Sequence, residues 1–173
     1  MWLDWAQAEV LEATSLPAKV IAAEHSGYQH LGVIHRRILK NAGPGRWQVI
    51  DYLLHSERRR SGDPDKPIYP YHLNWLLPDW PWALEDSTLT LTRPAGGRLR
   101  LSITPELPAS PLYGIEYCSL VRAGRALAGP RDVSPVAGWY SPTYNMKQPA
   151  LSFSMLVRSA LPVILISEWV LEN

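Results

Sequence analysis

Three short stretches carry the residue types best suited to chemistry. The first is "EHSGYQHLGVIHRR", Glu24 to Arg37. A hairpin through "SGYQHLG" would bring His25 near His35. A metal ion asks for three or four ligands, and no His, Cys or carboxylate cluster at ligand spacing accompanies the pair. The reading is therefore two half-exposed strand histidines and no metal site. On a strand, His35 and Arg37 share one face and Arg36 takes the other. A guanidinium fork suits carboxylate and sulfate groups, so that face can meet an acidic sugar. Sheets also commonly pair an arginine with a carboxylate on the next strand, and the favoured expectation is that Arg36 or Arg37 pairs with one such as Asp51.

The second stretch is the tryptophan cluster "NWLLPDWPW", Asn74 to Trp82. Flat aromatic faces flanked by Asn and Asp suit sugar rings, but packing is the commoner use of so much apolar area. The third is "GWYSPTYNMKQPALSF", Gly138 to Phe153, whose Gly and Pro content marks a loop that nevertheless holds three large aromatics. Trp139 is expected to pack across the end of a sandwich, with Tyr140, Tyr144 and Lys147 facing outward. Nucleophilic machinery is missing: no serine lies in a Gly-x-Ser-x-Gly elbow, and Cys118 sits in an apolar run without an activating neighbour. No Gly-rich loop precedes a helix to cradle a phosphate, so no cofactor is expected.

The elements that must position these residues read as strands. Short β-branched or aromatic runs recur between Gly, Pro, Asp and Ser, at 7–13, 18–25, 32–40, 46–54, 71–77, 87–93, 98–104, 114–121, 151–157 and 162–170. Alternation is cleanest in "STLTLTRPAGGRLRLSIT", where Leu89 and Leu91 share a face with Leu99, Leu101 and Ile103 across a glycine turn. No stretch sustains a helical period; "WAQAEVLEA" comes nearest. The polar run "HSERRRSGDPDKP", 55–67, reads as a solvated loop. Roughly ten strands joined by short turns imply an all-β, antiparallel β-sandwich, and 173 residues fit a single domain, 1–173.

Composition narrows the function. With 17 basic and 16 acidic residues the net charge is +1, which supplies no field for nucleic acid or an anionic membrane. One cysteine leaves the redox compartment open. The opening residues show neither a basic nor an apolar leader region, and the longest apolar run, "ALPVILISEWV", is too short to span a bilayer, so a soluble chain is expected. Eight Trp and eight Tyr against one Phe favour partly exposed aromatic positions.

Taken in order, these pieces resemble a known family. "AAEHSGYQHLGVIHRRILKNAGPGRWQVIDYLL" is similar to the C-terminal part of heparinase II/III-like proteins, in which a His-x-Gly-Tyr run, a His-Arg-Arg strand and a Trp-x-Val-x-Asp strand follow in this sequence. "YHLNWLLPDW" matches in placement a strand that ends in a proline. The closing "GWYSPTYNMKQPALSFSMLVRSALPVILISEWV" resembles that family's last segment. The resemblance covers nearly the whole chain. It implies bacterial polysaccharide lyases, exported or periplasmic, that join an N-terminal helical toroid to β-sandwich layers. They cleave acidic, uronate-containing polysaccharides such as heparan sulfate and alginate by β-elimination.

The family's catalytic Tyr, Asn and His lie mostly in the toroid. Its metal ligands lie in His-x-His-Ala-Asp, Asp-x-Gly-Thr-Tyr and His-Asn-Thr motifs, and none of these occurs here. No catalytic residue carries over. The resemblance thus implies a non-catalytic C-terminal sandwich whose partner is a toroid domain or an acidic polysaccharide. His35, Arg37, Trp139, Tyr140, Tyr144 and Lys147 are the candidates for substrate or interdomain contact. Two alternatives remain open: a free-standing carbohydrate-binding module, and a lyase in its own right acting through His35, Arg37 and Tyr144.

Overall fold

A computed structural model describes residues 7–14, 19–56 and 67–172, which places the 55–67 loop almost wholly outside the described residues. Each of the ten expected strands forms, with ends shifted by one to three residues. The helical hint in "WAQAEVLEA" gives way to a strand, Ala8–Thr14. Fourteen strands are present among the described residues. The four beyond expectation, Trp82–Glu85, Arg125–Ala128, Trp139–Tyr140 and Gln148–Pro149, are too short to show alternation.

Eight strands build the larger sheet: β1 (Ala8–Thr14), β2 (Val20–His25), β3 (Val33–Gly43), β4 (Arg46–His55), β6 (Trp82–Glu85), β7 (Thr88–Thr92), β8 (Arg98–Glu106) and β14 (Val163–Glu172). The smaller sheet holds β5 (Tyr69–Leu77), β9 (Gly114–Arg122), β10 (Arg125–Ala128) and β13 (Leu151–Ser159), and β11 (Trp139–Tyr140) pairs with β12 (Gln148–Pro149). The orders are β1-β2-β3-β4-β14-β8-β7-β6 and β10-β9-β13-β5, all pairs antiparallel. The last two strands in sequence thus sit inside the sheets, β14 between β4 and β8, β13 between β9 and β5.

That position explains their composition. A strand with neighbours on both sides and a second sheet against one face needs apolar residues at every other position. Leu151, Phe153, Met155 and Val157 of β13 face Val163 and Leu165 of β14, and all are buried in one core with Leu89, Leu91, Leu101 and Ile103. Leu89 pairs with Leu101 and Leu91 with Leu99, the register expected from the alternation. Gly96 and Gly97, both at positive φ, make the turn between them.

The sandwich is unequal. Four strands cannot cover eight, so the inner face of β1 and β2 extends past the β5 edge, while Val33 of β3 is buried in the core. Cross-strand pairing places Val10, Ala23 and Arg37 in one row with the buried Asp51 and Leu165, and Ile21 and Leu39 in the next with Val49 and Ser167. In those rows Val10 and Ile21 are exposed while Val49 and Leu165 are buried.

Candidate functional site

The border between the covered and uncovered halves holds the most polar interior of the protein. The β2–β3 hairpin sets His25 opposite His35, and β4 sets Asp51 opposite Arg37. The side chains join end to end. The Gly27 amide donates to His25 Nδ1 at 3.1 Å, His25 Nε2 meets His35 Nδ1 at 2.9 Å, and His35 Nε2 donates to Asp51 Oδ1 at 2.6 Å. Arg37 completes the chain with a two-pronged pair, Nε to Oδ1 at 2.7 Å and Nη2 to Oδ2 at 3.0 Å. Its guanidinium also lies over the Trp75 ring, 5.2 Å from the centroid. Arg36, on the opposite face, grips Glu24.

Asp51 is 2% exposed, and an ionised carboxylate there stands only because it is paired. Burial by itself raises its pKa, but the His35 and Arg37 hydrogen bonds and charges together outweigh burial and hold it below the usual carboxylate value. His25 is held below the usual imidazole value, chiefly by burial and then by His35 and Arg37.

His35, Arg37 and Asp51 form one end of a cleft of about 690 Å³ between the sheets, whose remaining walls include Tyr28, Leu31, Leu53, Tyr69 and Tyr71. The expectation that Arg36 or Arg37 pairs with a carboxylate such as Asp51 is met at both, Arg37 on Asp51 and Arg36 on Glu24. All four imidazole nitrogens have partners, so none is left to abstract a proton from a molecule in the cleft. Among the described residues no three His, Cys, Asp or Glu side chains are arranged to hold a metal ion.

Trp139, Tyr140, Tyr144 and Lys147 lie elsewhere. Trp139 does not join the core between the sheets. It walls a groove of about 530 Å³ on the outer face of the smaller sheet, with Val136 and the strand residues His72, Asn74 and Ser154. Its indole donates to the Pro135 carbonyl at 3.2 Å, and Lys147 Nζ sits 4.2 Å over its ring. Gly138 pins this arm: its carbonyl accepts from Ala123 and Ala150, and a Cβ there would stand 2.6 Å from the Val121 oxygen. Beyond the pin Tyr140 is half-exposed and Tyr144 is 97% exposed. The groove floor is a row of hydroxyls, Ser119 to Ser154 at 2.7 Å and Ser152 to Asn74 at 2.5 Å. The "LSFSMLV" alternation carries that signal, with Ser152 and Ser154 on the face opposite Leu151, Phe153 and Met155.

The tryptophan cluster is mostly packing. Trp75 and Trp80 lie against the core, and Trp75 donates to Ser167 at 3.0 Å while meeting Trp169 edge-on. Cys118 is no nucleophile: burial, with a lesser contribution from Asp86, raises its thiol pKa.

The fold and the convergence of the His-x-Gly-Tyr, His-Arg-Arg and Trp-x-Val-x-Asp motifs on one hydrogen-bonded chain define a class of protein. Residues 1–166 match the heparinase II/III-like C-terminal family, and the chain belongs to it. Among solved structures it is similar to heparan sulfate lyase HepC from Pedobacter heparinus, with a TM-score of 0.66 at 13% identity over 96% of this chain and 22% of that one. It is similar also to heparinase III, at 0.69 and 10% over 96% and 21%, and to the heparinase III-BT4657 gene product, at 0.65 and 14% over 95% and 21%. At such identities the likeness is one of fold. The chain spans about a fifth of the length of these solved proteins. No curated protein matches its sequence.

Proposed function

We propose that this chain serves as the non-catalytic C-terminal sandwich of a heparinase II/III-like lyase, a single domain that supports a helical domain performing β-elimination on an acidic, uronate-containing polysaccharide. The observation that carries this reading is that the family-like polar residues satisfy one another. Both nitrogens of His25 and of His35 are engaged, and Asp51 is held ionised by Arg37. Eliminating across a uronate needs a base with a free lone pair and a group that neutralises the carboxylate. Here His25 and His35 offer no lone pair and Arg37 already has its carboxylate.

The uncovered inner face of β1 and β2 is the surface we assign to the helical partner. It presents Val10 and Ile21 to solvent beside the His25–Arg37 border. An apolar area of this kind beside a finished core is what a second domain covers. Incubating the purified chain with heparan sulfate and with alginate, and following the ultraviolet absorbance of the unsaturated product, tests the first part. No product is expected; turnover that Arg37→Ala or His35→Gln abolishes would overturn the reading. For the second part, Val10→Asp with Ile21→Asp should weaken association with a helical domain of the same family supplied in trans.

A further inference from the structure

Two imidazoles in contact have four ring nitrogens, and the partners of these four fix where the protons lie. The Gly27 amide can only donate, so His25 Nδ1 is bare and the His25 proton is on Nε2. That proton is given to His35 Nδ1, so the His35 proton is on Nε2, where it meets Asp51. The chain closes with two protons on the pair and both rings neutral. A third proton has nowhere to go without breaking a link. On His25 Nδ1 it faces the Gly27 N–H; on His35 Nδ1 it faces the His25 Nε2–H. Shifting the His25 proton to Nδ1 to make room again sets two hydrogens against each other at Gly27.

We propose that this chain is a proton-sensitive latch on the inter-sheet cleft. With both rings neutral it fastens the Gly27 amide and the Tyr28 ring, at the cleft wall, to β3 and β4, and one added proton unfastens them. The ends of the 26–32 turn are held separately, by Ser26 N–H on the Gln7 carbonyl and Ser56 N–H on the Gly32 carbonyl. Between them the Tyr28 carbonyl accepts from Leu31 and Val33 and the Tyr69 hydroxyl donates to the Leu31 carbonyl, while the Gly27 amide rests on His25 and the Tyr28 ring stands 5.3 Å from the His25 ring. The movement released is therefore confined to the Gly27 amide and the Tyr28 ring.

The charged and titratable groups around His25 favour this. His35 and Arg37 face it from β3 and Asp51 lies beyond them on β4; Tyr28 and His30 are on the turn, and Tyr69, Tyr71 and His72 border the cleft from β5. Glu24 and Arg36 pair on the far side of the sheet. Burial first, then His35 and Arg37, keep His25 below the usual imidazole value, so the latch is shut at neutral pH and opens on acidification. The latch stands whether or not the chain docks a helical domain.

Nitrogen-15 NMR of the intact chain tests it. At about pH 8, long-range imidazole couplings should show both His25 and His35 as Nε2–H tautomers. An Nδ1–H tautomer at either ring overturns the proposal without any variant. Lowering the pH to about 5 should move the Gly27 amide and the Tyr28 ring resonances together along one imidazole titration. His25→Phe, which keeps a ring but no nitrogens, should abolish that movement, and His30→Gln should leave it intact. A Gly27 amide that ignores pH in the wild type, or one that still titrates in His25→Phe, overturns the latch.

Discussion

The inner cleft and the outer aromatic arm hold the same kinds of residue, ring-bearing and basic side chains on β-structure, yet they manage them in opposite ways. In the cleft His25, His35, Arg37 and Asp51 meet one another across three neighbouring strands, and the result is a linked chain around a buried carboxylate. On the arm the side chains have local partners only, Lys147 on Trp139 and Trp139 on the Pro135 carbonyl, while Tyr144 touches almost nothing. Residue type marks where chemistry is conceivable. Only the count of engaged atoms separates a structural cluster from a surface that is open for contact.

The contrast can be broken most forcibly at Arg37. Arg37→Ala leaves Asp51 buried without its cation, and denaturant unfolding should show a loss of about 3–5 kcal/mol. Asp51→Ala should cost somewhat less, because the Arg37 side chain is 43% exposed and water can take over part of its solvation. On the arm the sensitive point is the backbone. Gly138→Ala forces a Cβ against the Val121 oxygen at a positive φ, and thermal unfolding should report about 1–3 kcal/mol.

Acidity gives a finer test. A histidine and an aspartate that are both held below their ordinary values leave the unfolded chain binding more protons than the folded one. Stability then rises with pH and is lost on acidification. The first decline should begin as pH falls through the ordinary imidazole range, and the second through the carboxylate range. Urea titrations across pH should resolve the two declines, with the first absent in His25→Phe. The smallest effect belongs to Tyr144→Ala, where stability should change by no more than about 0.5 kcal/mol. A loss of polysaccharide binding or domain association in that variant would make the arm a contact surface in its own right.

The sequence carried the strands and the pairing of His25 with His35, because period-2 alternation and a short glycine-bearing turn leave few other arrangements. It also carried the Arg37–Asp51 pair, since strand registers oppose such charges. It did not carry the length inequality of the sheets, which depends on which strands pair and not on any one strand's pattern. Nor did it carry the groove of serines: Ser119, Ser152 and Ser154 look like the solvent half of an alternating strand, and only the 130–139 segment folding over them makes them a floor. Trp139 was expected to cap the sandwich and instead walls that groove, because Gly138 turns the chain toward the outer face.

The placement of β13 and β14 has a consequence in time. Both sheets are left with a gap at their centre until the 22 residues from Leu151 to Glu172, which hold β13, β14 and the link between them, are in place. Before then β4 and β8 in one sheet, and β5 and β9 in the other, are facing edges with no strand to join them. Neither layer can close until its inner strand is present, so the non-local pairings of both sheets wait on one late segment, β13 and β14 joined through Ala160–Pro162.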